Sequence, residues 1–306
     1  MFANKTKAVV FTILAGVLWG TSFPIIKIGL ATIDPFAFLF WRFFVSSLIL
    51  VIILVLFKKF QFCMSDKKFV VFLGVINGSG YLLQYVGMPY TTSAKAALYI
   101  NLSAMWVALL SPKLLGEHIS PKKAVGVISG LLGVVFVSTN LDFYTLSQGQ
   151  IMGDCILIIS GVTWALFMIY NKKFLMNSTS GLFQSMSGVL FFTFLAVAPF
   201  GVLAGSALFA LDIWAWAAIV YQAIVCWLIP YYLWLEGLKH LSASTSTILL
   251  LSEIIIATVA SVLILKEPMS IFSAVGALLI VLAIVLVSVK DHSTKKLKFC
   301  IFSNYA

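Results

Sequence analysis

Charged residues are scarce in this sequence. They make up 10% of its 306 residues, against about 25% in a typical soluble domain. Hydrophobic residues make up 62%, and the mean hydropathy is +1.10. A fold dissolved in water cannot bury that much apolar surface, so the composition indicates an integral membrane protein. Uninterrupted apolar runs of about 20 residues exclude a membrane β-barrel, whose strands alternate polar and apolar residues.

The sequence also lacks the motifs of enzymes and of metal sites. Its four cysteines have no paired spacing, which argues against a disulfide framework and a zinc motif. The three histidines, His118, His240 and His292, fall in predicted loops or in the C-terminal tail. No G-x-x-x-x-G-K-[ST], H-E-x-x-H or G-x-S-x-G motif is present. We therefore expect no enzymatic activity, no catalytic residues, no metal, no cofactor and no direct use of ATP.

Basic residues outnumber acidic ones by 20 to 10, but this excess does not predict binding to nucleic acid. Most of the lysines lie in short gaps between apolar runs, where they set topology and contact anionic lipid headgroups. Placing both termini in the cytoplasm puts most lysines on the cytoplasmic side, in agreement with the positive-inside rule. The sequence thus predicts a multi-pass protein of the cell membrane with both termini cytoplasmic.

Apolar runs of membrane-crossing length predict an all-α protein with ten transmembrane helices. They lie near residues 8–30, 35–57, 69–89, 92–113, 121–140, 151–170, 180–204, 211–236, 243–265 and 270–290. The connections between them are short, so no soluble domain is expected.

The two halves of the chain resemble each other. ILAGVLWG at 13–20 is similar to IISGVTWA at 158–165, and LLGEHIS at 114–120 is similar to LILKEPMS at 263–270. Each half contains five predicted spans, and because five is odd the second half must enter the membrane inverted. Inverted repeats are typical of secondary transporters, whose substrate site lies near mid-membrane between the repeats.

These matches predict three parts of the chain. A first five-helix repeat covers residues 1–145, a second inverted repeat covers residues 146–290, and a basic cytoplasmic tail covers residues 291–306.

Several segments in order resemble the drug/metabolite transporter superfamily, in its ten-helix branch of two EamA-type repeats. They are LAGVLWGTSFPIIKIGL, DPFAFLFWRF, WVALLSPKLLGEHIS, SASTSTILLLSE and LILKEPMSIFSAVGALLIVLAIVLV. The resemblance covers roughly residues 8–290 and implies transport of small metabolites such as amino acids, quaternary amines, nucleotide sugars or drugs. The chain departs from the family pattern at Ala104 and Ile254, where members commonly have a proline.

Three charged residues within the predicted spans are candidates for function. Glu253 is the only acidic residue deep inside a span. An apolar environment favours the neutral form of a carboxylic acid, so Glu253 could carry a proton or bind a cationic group. Arg42 and Lys95 could read a substrate carboxylate or act in gating, and the alternative for both is that the side chain extends to the headgroups.

Polar and aromatic residues of spans 3 and 8 complete the predicted substrate site. Asn77, Tyr81 and Gln84 are spaced four and three residues apart, which places them on one helical face. Aromatic residues in mid-span could surround an ammonium group through cation–π attraction, or could simply pack helices. The aromatic candidates are Trp19, Trp164, Trp227 and Tyr231.

The sequence favours a secondary transporter that exports a small amphipathic metabolite by alternating access. We expect an amino acid or a related compound as substrate, with protons as a candidate coupling ion. An alternative is export or import of quaternary amines or cationic drugs, and an alternative of another class is a channel or a sensor. The expected partners are the substrate and the lipid bilayer, without nucleic acid, and we expect a monomer.

Overall fold

The fold is known from a computed structural model, which describes residues 2–56, 67–90, 93–142, 144, 147, 151–177, 181–265 and 270–288. Within these residues, every regular element is helical, and ten segments are long and apolar enough to cross a membrane. The ten spans are Asn4–Ile26, Pro35–Leu56, Lys67–Tyr90, Leu98–Leu115, Pro121–Thr139, Ile151–Asn177, Leu182–Leu208, Ile213–His240, Ala243–Ala260 and Ile271–Ser288. The predicted ten-helix membrane fold is confirmed. The predicted tail, 291–306, lies outside the described residues.

Fourteen α-helices of the described chain build these spans, because several spans are interrupted. The helices are α1 Phe2–Gly20, α2 Ser22–Gly29, α3 Pro35–Leu56, α4 Lys67–Gly87, α5 Ser93–Asn101, α6 Ser103–Leu115, α7 Pro121–Thr139, α8 Ile151–Asn177, α9 Leu182–Val197, α10 Ile213–Ala223, α11 Ile229–His240, α12 Ala243–Leu250, α13 Ser252–Leu265 and α14 Ile271–Ser288. For description, the N-terminal side is the side at which span 1 begins.

Spans 4 and 9 are both interrupted, although neither has the proline that is common in the family. The break in span 4 falls at Leu102, between α5 and α6, and the break in span 9 falls at Leu251, between α12 and α13. At both places a backbone amide reaches back only three residues, from Met105 to Leu102 (3.0 Å) and from Leu251 to Ile248 (3.2 Å). This tighter turn ends one helix and starts the next.

Span 8 contains a π-helical segment, Ile224–Leu228, between α10 and α11. Pro230 follows it directly and has no amide hydrogen to donate to the carbonyl of Cys226, four residues earlier. A π-helical turn is a common way to accommodate such a lost bond, and it leaves backbone oxygen atoms available to other donors.

Glycines let span 1 approach the break in span 9. A Cβ atom on Gly20 would lie 2.5 Å from the carbonyl oxygen of Glu253 and 2.8 Å from the Cβ atom of Ile256. The two helices can therefore cross at this distance only with glycine at position 20. Spans 5 and 10 meet in the same way, because a Cβ atom on Gly133 would lie 2.7 Å from the carbonyl oxygen of Gly276.

The outer faces of the helices are apolar and exposed. Leu56 on α3, Ile128 on α7 and Leu278 on α14 are 73%, 59% and 69% exposed. Such surfaces are stable only against lipid tails, which is the environment that the ten spans require.

Candidate functional site

A cavity lies among the spans. Helices from both halves of the chain contribute to it, since α1 to α6 form one part of the wall and α8, α11, α13 and the π-helical segment form the other. The residues that line it are Trp19, Ser22, Phe23, Ile26, Arg42, Tyr81, Gln84, Ile100, Ser103, Trp164, Phe167, Met168, Trp227, Trp234 and Glu253. Ile26 and Gln84 lie near the ends of spans 1 and 3 that are remote from the N-terminal side. The cavity is therefore nearer to the opposite side.

Arg42 is held in the wall by neutral groups. Only 1% of this residue is exposed. Its Nη1 donates to the hydroxyl of Tyr85 (3.0 Å), and its Nη2 donates to the hydroxyl of Tyr81 (3.4 Å) and to the carbonyl oxygen of Cys226 (3.4 Å). The guanidinium also lies over the ring of Tyr81, 4.6 Å from its centroid. Pro230 has no N–H to donate to the carbonyl oxygen of Cys226, four residues earlier. That oxygen is therefore available to Arg42, so span 8 provides a hydrogen-bond partner for the arginine of span 2.

Glu253 lies in the first turn of α13, directly after the break in span 9. Free backbone N–H groups at a helix N-terminus favour a nearby carboxylate. Its side chain also bonds to the side chain of Asn101, the last residue of α5. Glu253 is partly exposed to the cavity that it lines. The two broken spans thus meet at this carboxyl group.

Tyr81 connects Arg42 to an aromatic wall. Its hydroxyl accepts the hydrogen bond from Arg42, and it lines the same cavity as Glu253. Its ring meets Trp164 edge-on with centroids 4.7 Å apart, and it meets Trp227 edge-on at 5.3 Å. The wall can therefore contact an apolar or cationic part of a ligand.

Stacked aromatic rings extend from the cavity toward the N-terminal side. Tyr231 stacks on Trp227 with centroids 4.9 Å apart and on Trp234 at 5.9 Å, and Phe167 stacks on Tyr231 at 6.1 Å. The Tyr231 hydroxyl donates to Asn171 Oδ1 (3.1 Å) in α8. This layer separates the cavity from the N-terminal side.

A polar network on the N-terminal side links the two halves of the chain. Glu117, which follows span 4, accepts hydrogen bonds from the backbone N–H of Ala243 (2.5 Å) and from the N–H (3.3 Å) and hydroxyl (2.7 Å) of Ser244, at the start of α12. Lys123 in α7 donates to Ser242 Oγ (2.9 Å) beside them. These contacts fix span 9 against the end of span 4.

On the opposite side the halves are also joined by contacts of described residues. Trp41 Nε1 in span 2 donates to the carbonyl oxygen of Leu208 (2.7 Å) at the end of span 7, and span 8 donates hydrogen bonds to the end of span 1. Asn140, at the end of span 5, accepts hydrogen bonds from the hydroxyl groups of Ser270 (2.5 Å) and Ser273 (2.6 Å). These bonds join spans 5 and 10 only, at the edge away from Arg42 and Glu253.

The structure brings most of the predicted site residues to one cavity. The seven that line it are Trp19, Arg42, Tyr81, Gln84, Trp164, Trp227 and Glu253. Asn77 instead lies away from the lining, where its Nδ2 donates to Thr193 Oγ1 (2.9 Å) and joins spans 3 and 7. Tyr231 lies in the stacked layer beside the cavity. The side chain of Lys95 lies outside the described part of the structure.

Sequence reasoning did not include several lining residues. Trp234 follows Tyr231 by three residues, and its Nε1 donates to Ser246 Oγ (2.9 Å). Ser103 occupies the position in the first half that corresponds to Glu253, and the spacing of Tyr81 and Tyr231 would have identified it. No sequence pattern indicated Phe167, which lines the cavity, or Asn101, which bonds to Glu253. Among the described residues, no group of three or more His, Cys, Asp or Glu residues is placed to hold a metal ion.

Ten apolar helices around a cavity with a buried arginine and a glutamate define a polytopic membrane protein with an internal polar cavity. The chain belongs to the EamA-like transporter family, whose model matches it twice, at residues 6–139 and 151–289. It is a member of a transporter family and not an enzyme.

Curated relatives span the same length. An uncharacterized transporter of Archaeoglobus fulgidus is 28% identical over 284 residues, which cover 91% of this chain and 96% of that relative. A probable amino-acid metabolite efflux pump of Escherichia coli (strain K12) is 25% identical over 292 residues, which cover 89% and 91%. A solved crystal structure matches with a TM-score of 0.71 at 20% identity over 92% of this chain and 96% of the other, and shows the fold alone.

Proposed function

We propose that the protein is a secondary transporter that exports a small amphipathic metabolite, an amino acid or a related compound, by alternating access. The observation that carries this proposal is the cavity that holds Arg42 and Glu253. One charged residue comes from the first half of the chain and the other from the second. A molecule bound between them contacts both halves, so its binding can be coupled to their relative movement.

The closure of the N-terminal side supports alternating access. The stacked rings around Tyr231 and the bonds of Glu117 to α12 separate the cavity from that side. The breaks at Leu102 and Leu251 provide places where spans 4 and 9 can bend. We propose that the two halves of the chain are inverted repeats, and that movement between them opens the N-terminal side while it closes the opposite side.

Two other observations support a direction of transport and a membrane. The distribution of lysines favours a cytoplasmic N-terminal side, and we propose that the protein lies in the cell membrane with both termini cytoplasmic. The relative in Escherichia coli is described as an efflux pump for amino-acid metabolites. Glu253 is the proposed site for a coupling proton, because it is the acidic group in the wall of the cavity.

Exchange in proteoliposomes tests the proposal. Purified protein is reconstituted into vesicles loaded with an unlabelled neutral amino acid, and entry of the labelled compound is measured against its external concentration. A secondary transporter gives saturable uptake that is accelerated by the internal compound. Uptake that rises linearly with concentration and ignores the internal compound would indicate a channel instead.

Quaternary amines form the second candidate substrate class. Four indole rings and one carboxyl group line the cavity, which is a combination that binds an ammonium group through cation–π and charge interactions. The same vesicles, loaded with choline or with a neutral amino acid, separate the two classes by which compound accelerates exchange.

A further inference from the structure

Unpaired hydrogen-bond donors are concentrated in the wall of the cavity. Within the described residues, the indole N–H groups of Trp19, Trp164 and Trp227 and the Nε–H of Arg42 are buried and have no partner. All four residues line the cavity. An unpaired buried donor is costly, and a single cavity that holds four of them requires an explanation.

The unpaired acceptors lie elsewhere. Five buried side-chain oxygen atoms have no partner among the described residues: Ser47 Oγ, Asn77 Oδ1, Ser111 Oγ, Ser138 Oγ and Gln222 Oε1. None of these five residues lines the cavity. The carboxyl group of Glu253 does line it and is bonded to Asn101. The cavity thus has an excess of donors, which a ligand rich in acceptor atoms would satisfy.

The charge of Arg42 also favours a ligand with acceptor atoms. It is the only arginine in the sequence, and it is buried in the part of the chain that crosses the membrane. Its hydrogen-bond partners are two tyrosine hydroxyl groups and one carbonyl oxygen, all of them neutral. No carboxylate of the described residues lies within ion-pair distance of it. A buried charge without a counterion is costly and is typically retained where an ion of opposite sign arrives.

We infer that the cavity recognises the carboxylate of its substrate, with Arg42 and the neighbouring indole N–H groups as the donors. This inference rests on the proposed function and narrows its substrate class. The substrate is a zwitterion whose carboxylate lies at Arg42, whose ammonium group lies toward Glu253 and whose apolar side chain contacts the aromatic wall. A neutral amino acid with a large apolar side chain has this chemistry, whereas a quaternary amine does not.

Ligand binding to the purified wild-type protein in detergent tests the inference without any mutation. L-phenylalanine, L-phenylalaninamide and phenethylamine have the same aromatic ring and an amino group, but only the first has a carboxylate. Binding is measured by calorimetry and by the rise of the thermal unfolding midpoint. We expect L-phenylalanine to bind about ten- to a hundredfold more tightly than the other two, the range of a charge-assisted hydrogen-bond network. Equal affinities of the acid, the amide and the amine would overturn the inference.

Variants of Trp164 and Arg42 test whether these donors cause the preference for a ligand with a carboxylate. Trp164→Phe removes one indole N–H but keeps an aromatic ring, and we expect it to weaken binding of L-phenylalanine about fivefold to tenfold and binding of phenethylamine by less than about twofold. Trp214→Phe is the matched control, because Trp214 is 79% exposed and lies outside the lining. A loss that is equal for the acid and the amine would mean that Trp164 acts through packing alone, and would count against the inference.

Arg42→Gln is expected to abolish the preference for the acid over the amide, and Arg42→Lys is expected to restore part of it because the charge is kept. If either variant fails to fold, the wild-type ligand series still decides the question.

Exchange in vesicles separates the two proposals. Saturable exchange of phenethylamine without exchange of L-phenylalanine would support the transporter and refute the carboxylate site. Tight binding of L-phenylalanine without its exchange would support the carboxylate site and refute the transporter.

Discussion

Polar groups differ in their hydrogen bonding between the wall of the cavity and the closure, which is the set of contacts around Glu117 and Tyr231 on the N-terminal side of the cavity. In the closure, Glu117 accepts three hydrogen bonds at the start of α12, and the Tyr231 hydroxyl is bonded to Asn171. In the wall of the cavity, Arg42 Nε and three indole N–H groups have no partner among the described residues. The bonds of Glu117 join the two halves, and the bond between Tyr231 and Asn171 joins two spans of the second half. The unpaired groups mark the place where a ligand completes the hydrogen bonding. Side chains of similar chemistry therefore have different roles, and their pairing distinguishes these roles.

The comparison depends on which side of the membrane is closed. A fluorescent protein that matures only in the cytoplasm, fused after Ala306, should give an all-or-none result. We expect full fluorescence at normal expression, because the lysine distribution places both termini in the cytoplasm. A well-expressed but dark fusion would place the closure on the outer side and would refute the ten-span arrangement with cytoplasmic termini.

Glu253→Gln tests the cavity side of the comparison. The amide keeps the shape and can still bond to Asn101, but it has no negative charge for an ammonium group or a proton. We expect at least a tenfold loss of exchange in proteoliposomes with normal folding, since a charged hydrogen bond contributes about 1.5–3 kcal/mol. Glu236→Gln is the control, because that carboxylate pairs with Lys239 (3.0 Å) and lies outside the cavity lining. Wild-type exchange in Glu253→Gln at every pH would contradict the assigned role.

Glu117→Ala tests the closure. Loss of the acceptor for Ala243 and Ser244 should weaken the contact between the halves by about 1–2 kcal/mol. This change would raise the population that is open to the N-terminal side by about fivefold or more. The measurement is the rate at which a membrane-impermeant maleimide labels Ser103→Cys from that side, with the native cysteines replaced.

Asp212→Ala is the matched control for Glu117→Ala. The Asp212 carboxylate also accepts a helix N-terminal hydrogen bond, from Ala215 N (2.7 Å), but it caps its own helix and has no hydrogen bond across the halves to a residue that the structure describes. We expect a similar loss of stability without faster labelling. Equal labelling rates in the two variants would show that Glu117 is an ordinary helix cap.

Gly20→Ala should lower stability without removing a polar contact. The added methyl group would meet the backbone of Glu253 and the Cβ atom of Ile256, which forces spans 1 and 9 apart and costs about 1–3 kcal/mol. The measurement is the thermal unfolding midpoint. Gly181→Ala is the control, since a Cβ atom there would meet only the Gln184 side chain, at 3.4 Å. An unchanged midpoint in Gly20→Ala would argue against the close approach of span 1 to the break that holds Glu253.

Long-range features of composition made the fold predictable. Apolar runs and their lengths set the number of spans, because backbone polar groups must be satisfied within helices in lipid. The mid-span charges Arg42 and Glu253 were also visible in the sequence, since a charge in an apolar run is rare and requires a polar environment. The internal similarity of the two halves predicts that such residues meet near the middle, where the structure places them around one cavity.

Details that depend on helix rotation and on long-range packing could not be read from the sequence. Asn77 shares a helical face with Tyr81 by spacing, yet it lies one turn away and pairs with Thr193 of span 7. The breaks at Leu102 and Leu251 lack the proline that would have signalled them. The partner of Glu117 is more than a hundred residues away in sequence, so neither local spacing nor periodicity could identify it.

A crystal structure of the protein with L-phenylalanine bound tests the central claim most directly. We predict that the carboxylate lies within hydrogen-bond distance of Arg42 and of at least one of the three unpaired indole N–H groups, with the aromatic ring against the wall. L-phenylalanine bound elsewhere, or bound in the cavity with its carboxylate away from Arg42, would contradict the claim that unpaired donors mark the substrate site.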